Sequence, residues 1–395
     1  MNARLEAQAA AELDALRTAG TYKTFNTLES PQGPVVRMAG RGEVVVLSSN
    51  DYLGLAGRPE VVRAGIDGLE AYGAGTASVR FICGTFAPHL ELERALAVFS
   101  GTEAALTYGS CWNANEALIP TLTDAETVIV SDELNHASII DAVRLAKPER
   151  KLRYAHSNMS ELRDALQSCR PDQRKLVVTD GVFSMEGDLA QLPDIVELAR
   201  TYDAVVIVDD SHGVGVLGRT GRGTAEHFGL VGDIDVVTGT LGKALGGAAG
   251  GYVASTAAVC DLLAQRSRPQ LFSNALPPTV ACSARAALGV LEAEPHLLAR
   301  LHENVRFFRE RLRSLGYTPL DGEAAIIPII VGETARAIEL SRGLLERGVF
   351  VTGFGYPVVA EGAARIRVQL SAAHEPDQLE RALAAFAAVA AQHSV

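Results

Sequence analysis

A single lysine stands in the run Gly239-Thr240-Leu241-Gly242-Lys243-Ala244-Leu245-Gly246-Gly247. Flanked by glycine and other small residues, its amine can approach a flat ligand closely, because little else fills the space. An amine held among apolar groups and near other positive charge has a depressed pKa, which suits Schiff-base chemistry. A glycine-rich turn with a solvated lysine is the bland alternative; the further pair Gly250-Gly251 weighs against it. Asp209-Asp210-Ser211-His212 follows the apolar run 205–208. A lone Asp at that place could merely cap a turn or pair with a surface Arg. No further His or carboxylate follows at ligand spacing, so no metal is expected. Ser110-Cys111-Trp112-Asn113-Ala114-Asn115 precedes an apolar helical stretch. Small and polar residues at a helix start leave backbone N–H groups for a phosphate, a role compatible with simple capping by Ser110.

These side chains need elements to bring them together. Apolar, β-branched runs at 127–130, 176–179, 205–208 and 236–238 read as strands covered on both faces, as in a parallel sheet. Helical spacing fills the intervals, at 92–99, 139–145, 159–166 and 195–200. Open α/β sheets bind ligands at the carboxyl ends of their strands. The four runs lead into Ser131 to His136, Asp180 to Ser184, Asp209 to His212 and Gly239 to Lys243. Asp, His, Ser, Thr and Lys thus reach one neighbourhood. Gly213-Val214-Gly215-Val216-Leu217-Gly218 matches the dinucleotide fingerprint G-x-G-x-x-G. A polar stretch intervenes after the strand, and 219–223 has a loop composition where the fingerprint needs a helix. A nicotinamide-dependent oxidoreductase is therefore set aside. So is a serine hydrolase, because Ser184 lacks the G-x-S-x-G elbow.

The 395 residues carry 36 Lys+Arg against 47 Asp+Glu, a net charge of −11 that argues against a nucleic-acid partner. No apolar run approaches the ~18–20 residues of a membrane span, and the acidic start is not a secretory signal. Five dispersed cysteines without a CxxC pair suggest reduced thiols and a cytoplasmic enzyme. Residues 1–57 read as an N-terminal helix (Leu5, Ala9, Leu13 and Leu16 on one stripe) and a short strand at 44–47. Residues 58–292 read as the large α/β domain. Residues 293–395 read as a smaller α+β domain: helix 297–315, strand 326–331, helix 336–346, strands 349–352 and 366–370, and a last helix.

As a set these motifs resemble the α-oxoamine synthases, pyridoxal 5′-phosphate enzymes of fold type I that join glycine-type amino acids to acyl-CoA thioesters. The resemblance runs from Asn50-Asp51-Tyr52-Leu53-Gly54-Leu55 to the segment 364–374. It implies a large domain with a mostly parallel central sheet and a smaller α+β domain. It also implies roles: Lys243 to bind the cofactor and later move the Cα proton, Asp209 to pair with the pyridinium nitrogen, and His212 and Ser184 to meet the phenolic oxygen. His136 would stack on the ring. Backbone N–H groups of Cys111 and Trp112, with the Thr240 hydroxyl, would hold the phosphate. Ser273 would reach the phosphate across a subunit boundary, so a homodimer is implied. Arg367 and Asn50 would take the substrate carboxylate.

Within the family, the stretches 77–85, 131–145, 179–188, 239–247 and 265–278 favour the branch acting on glycine and acetyl-CoA. Its product is 2-amino-3-oxobutanoate, the compound that a threonine dehydrogenase supplies in threonine breakdown. Family members that use succinyl-CoA carry Thr just before the Arg of the 77–85 motif. Here Val79 precedes Arg80, and an apolar side chain cannot donate that hydrogen bond. Lys23 stands where those members have a carboxylate-binding Arg, so a longer acyl group, as in the aminolevulinate or 8-amino-7-oxononanoate synthases, is the alternative expectation.

Overall fold

The computed structural model describes residues 2–356 and 358–393. It begins with α1 (Ala3–Thr18), whose first turn is capped by the Asn2 side chain. The helix matches the sequence stripe, yet none of its residues is buried. The strand read at 44–47 is the second arm of a hairpin, β1 (Val35–Met38) and β2 (Gly42–Val46). Next come α2 (Pro59–Tyr72), a short helical turn at Arg80–Gly84, and α3 (Ala87–Ser100).

The alternation expected from the apolar runs then sets in. Its order is β3 (Ala104–Tyr108), α4 (Cys111–Leu122), β4 (Val128–Asp132), α5 (Ala137–Leu145), β5 (Arg150–Tyr154) and α6 (Met159–Gln167). It continues with β6 (Lys175–Asp180), α7 (Leu192–Tyr202), β7 (Ala204–Asp209), the single turn α8 (Thr224–His227), β8 (Val236–Thr240) and β9 (Gly251–Ser255). These seven strands form one sheet in the order β3-β9-β8-β7-β6-β4-β5. All the contacts from β8 through β7, β6 and β4 to β5 are parallel. The exception is β9, antiparallel to both β8 and β3. Successive side chains leave a strand on opposite faces. Ile129, Leu176, Val178 and Ile207 therefore pack with α4 and α5, while Val128, Val130, Val177, Val206 and Val208 pack with α6 and α7.

After the sheet come α9 (Ala257–Arg266), α10 (Arg268–Phe272), α11 (Pro278–Ala293) and α12 (His296–Ser314). The remaining elements are β10 (Ile326–Gly332), α13 (Thr334–Glu346), β11 (Val349–Phe350), β12 (Thr352–Phe354), β13 (Ala364–Gln369) and α14 (Pro376–His393). The run 349–352, read as one strand, is divided between two sheets. β11 pairs with β2, whereas β12 joins the antiparallel sheet β10-β13-β12. The N-terminal hairpin is thereby tied to the last hundred residues, and the Gln369 N–H also donates to the Leu47 carbonyl at 2.8 Å. Among the described residues, no helix is long and apolar enough to cross a membrane.

Candidate active site

β8, β7, β6 and β4 are consecutive in the sheet, so their carboxyl ends lie side by side. Asp209 ends β7 and is buried. Its Oδ2 accepts from Asn115 Nδ2 at 2.7 Å, and its Oδ1 from the Ser211 N–H at 3.0 Å. Cys111 Sγ lies 3.6 Å from the same Oδ2. Asn115 is itself held by Thr238, whose hydroxyl donates to Oδ1 at 3.0 Å. A second link runs from Asn115 Nδ2 to Ser138 Oγ at 2.9 Å, and Ser138 Oγ sits 2.8 Å from His136 Nδ1. The Ser138 N–H also points at that nitrogen. His136 caps α5, and its ring meets Trp112 edge to face. Burial lowers the His136 pKa, keeping the imidazole neutral-leaning near pH 7.

Lys243 follows β8 by three residues. Burial lowers its pKa, with the Asp209 charge opposing, so it holds a larger neutral fraction than a solvated lysine. His212 is buried, and burial together with the charges of Lys243 and Arg367 holds its pKa well below 6.5. Its Nδ1 is 2.8 Å from Tyr52 Oη. Cys111 and Trp112 open α4 beneath the Ser110 cap, whose hydroxyl receives the Asn113 N–H at 3.1 Å. First-turn N–H groups have no acceptor within their own helix. Gly251 lets β9 come this close, since a Cβ there would lie 2.2 Å from the Cys111 nitrogen. Thr240 Oγ1 stands nearby, accepting from the Gly242 N–H at 3.1 Å.

Arg367 reaches in from β13. It donates to the Ser184 carbonyl at 3.0 Å and to Gln369 Oε1 at 3.2 Å, while its buried Nε has no hydrogen-bond partner among the described residues. No carboxylate pairs with it among the described residues. Asn50 joins the same cluster through Gln369 Nε2 at 2.6 Å. Ser273 is exposed just beyond α10, beside Gly109 and Asn113 at the start of α4. Lys23 is exposed, and Val79 precedes the Arg80–Gly84 turn, which packs on α10. No hydrogen bond among the described residues joins Lys23 or Val79 to Lys243 or Arg367.

The sequence reading missed Asn115, Ser138, Tyr52 and Gln369. Periodicity held a signal for two of them. Asn115 is four residues from Cys111 on α4, and Gln369 is two from Arg367 on β13, so each shares its neighbour's face.

An amine of lowered pKa, a buried carboxylate fixed by donors, and a helix start beside a hydroxyl form one donor set. It fits pyridoxal 5′-phosphate, which needs an amine, an anion at its ring nitrogen and N–H groups at its phosphate. Fold and site together define an α/β protein of the pyridoxal phosphate fold type I. The family model described as aminotransferase class I and II matches residues 42–386. The chain is 46% identical over 386 residues to the 2-amino-3-ketobutyrate coenzyme A ligase of Escherichia coli K12, covering 97% of each. It is 48% identical over 379 residues to the 8-amino-7-oxononanoate synthase of Symbiobacterium thermophilum, covering 96% of each. Among solved structures, the serine palmitoyltransferase of S. paucimobilis with bound PLP and myriocin superposes with a TM-score of 0.92 at 30% identity, over 98% of this chain and 97% of that one. The chain belongs to the class I and II aminotransferase family, in its α-oxoamine synthase branch.

Proposed function

We propose that the protein, with pyridoxal 5′-phosphate, joins glycine to acetyl-CoA, giving 2-amino-3-oxobutanoate and CoA, and catalyses the reverse cleavage. When bound, the cofactor supplies a carbonyl for the substrate amine and an electron sink that makes the adjacent carbon acidic. Lys243 would hold the cofactor. Its Nζ then takes the proton from glycine Cα, a task its lowered pKa suits. Asp209, held by Asn115 and Ser211, would keep the ring nitrogen protonated. His212 and Ser184 would meet the phenolic oxygen, and His136 the ring face. The first turn of α4, Thr240 and the partner's contribution through Ser273 would hold the phosphate. The bond from glycine Cα to the acetyl carbonyl carbon forms as the carbon–sulfur bond breaks, and CoA leaves as the thiolate.

The observation that carries the reading is Arg367, a half-buried guanidinium over the Phe354 ring whose hydrogen bonds reach only neutral oxygens and whose Nε has no hydrogen-bond partner among the described residues. Such a group suits a ligand carboxylate with its planar fork. Val79 supports the short acyl group, because it offers no donor to a dicarboxylic acyl chain. The high identity to an 8-amino-7-oxononanoate synthase and the lysine at position 23 favour a second reading, a longer acyl-CoA at the same site. Two measurements test the amino-acid half. Glycine should outrun alanine as acceptor of the acetyl group, and Arg367→Met should raise the glycine KM about 10- to 100-fold, the worth of one charged hydrogen bond. Equal use of alanine, or an unchanged KM, would refute it.

A further inference from the structure

Between Arg367 and His212 every hydrogen bond has a direction that the groups themselves decide. A guanidinium can only donate. The Gln369 atom 3.2 Å from Arg367 Nη2 is therefore the amide oxygen, which turns the amide nitrogen the other way. That nitrogen donates to Asn50 Oδ1 at 2.6 Å and to Tyr52 Oη at 2.8 Å. Tyr52 is 0% exposed, so water is no partner for it. Having accepted from Gln369, its hydroxyl has one proton to place, and His212 Nδ1 lies 2.8 Å away. Were His212 to donate from Nδ1 instead, the Tyr52 O–H would be a buried donor with no acceptor. Burial also holds the Tyr52 hydroxyl up at about 12, so it keeps its proton at any working pH.

We propose that Tyr52 and Gln369 are positioning residues that lock His212 with its proton on Nε2, carrying the donor polarity of Arg367 to that imidazole. The nitrogen left over, Nε2–H, is then the one that donates to a ligand. The proposal rests on the reading above, in which His212 meets the phenolic oxygen of the cofactor. It adds that this donor is set by the groups that take the substrate carboxylate. The chain spans distant sequence, 160 residues from Tyr52 to His212 and 317 from Tyr52 to Gln369. It therefore exists only in the closed fold.

The test uses the whole chain, first free of cofactor and then loaded. Nitrogen-15 NMR of the histidines should show His212 protonated at Nε2 and bare at Nδ1. In Tyr52→Phe, which keeps the ring in place, the signal should move towards a mixture of tautomers. Gln369→Glu, whose carboxylate can accept the Tyr52 O–H in place of His212 Nδ1, should do the same and serves if the first variant fails to fold. In the loaded protein, both variants should shift the pH midpoint of the cofactor's absorbance by about 0.5 to 1 unit, the effect of one neutral hydrogen bond on a titrating group. A wild-type His212 protonated at Nδ1 would overturn the proposal, whatever the enzyme's reaction. An unmoved midpoint in both variants would also overturn it. Failure of the wild type to bind pyridoxal phosphate would instead strike the functional reading and leave the tautomer result standing.

Discussion

Lys243, half-buried, and Asp210, buried, both lie close to Asp209, and the fold treats them differently. Burial lowers the lysine and prepares it for proton transfer, so Lys243→Ala should abolish the cofactor's covalent absorbance and cut turnover by at least ~10³-fold. Retained turnover would remove the lysine from the mechanism. Asp210 is raised by burial to about 7, although the Thr224 N–H donates to its Oδ2. Among the described residues its buried Oδ1 has no hydrogen-bond partner. A carboxyl raised from 3.8 in the unfolded chain to about 7 in the folded one binds its proton more tightly when folded. Stability from this group is thus greatest below pH 3.8 and falls as pH climbs to about 7. Asp210→Asn, whose amide can donate to Thr224, should flatten that fall in denaturant titrations run at several pH values. An unchanged slope would show that Asp210 is not its source. Val79→Thr should improve use of succinyl-CoA relative to acetyl-CoA about 2- to 10-fold, one hydrogen bond's worth; no change would remove the main support for the short acyl group. The positions of Lys243, Asp209 and His212 were legible in the sequence because each lies within five residues of the end of an apolar strand run. Tyr52 was not, because its partners His212 and Gln369 stand 160 and 317 residues away, while Gln369 was marked only by the strand period that sets it on the face of Arg367.

Legibility among the elements followed burial in the same way, except for the short buried strand β9, whose Gly251 and Ser255 ends hid it. The four central strands declared themselves because both faces are covered, which leaves no polar residue to interrupt the run. Edge strand β5, RKLRY, is half exposed and charged, so its pattern carries little apolar signal. The run 349–352 looked like one strand because its composition does not record that two sheets share it. The turn between β6 and α7, which carries Ser184, is fixed by neighbours from both directions. Arg365 of β13 donates to the Met185 carbonyl at 2.9 Å and pairs with Glu186 at 3.0 Å. His156 bridges Asp132 at 3.1 Å and Asp188 at 2.9 Å, with its ring edge to face on Phe183. Burial alone would lower this histidine, but the hydrogen bonds to Asp132 and Asp188 outweigh it and raise the pKa to about 10. Its folded pKa exceeds the unfolded 6.5, so its stabilisation is complete below pH 6.5 and is lost as pH rises through about 10. His156→Gln should therefore lower the melting temperature near pH 6 and converge on the wild type near pH 10. An equal deficit at both would refute the charged bridge.

At the scale of the whole molecule, one chain leaves apolar surface uncovered around the proposed site. Phe81 and Ile82 on the Arg80–Gly84 turn and Phe272 at the end of α10 are each more than 60% exposed, and the turn packs on α10. Val79 and Ser273, whose proposed roles lie at an active site, flank these residues in sequence, while α1 buries none of its own. A second copy covering this face would explain the exposed Phe81, Ile82 and Phe272. Sedimentation velocity should accordingly show a dimer that persists to dilute concentration, and a monomer with full cofactor affinity would contradict it. The most direct measurement of the central claim is CoA release by the cofactor-loaded protein with glycine, offered acetyl-, succinyl- or pimeloyl-CoA in turn. A clear preference for acetyl-CoA is the result expected. Preference for the longer or acidic thioesters would contradict the acetyl transfer proposed here and shift attention to Lys23, while leaving the fold and the cofactor in place.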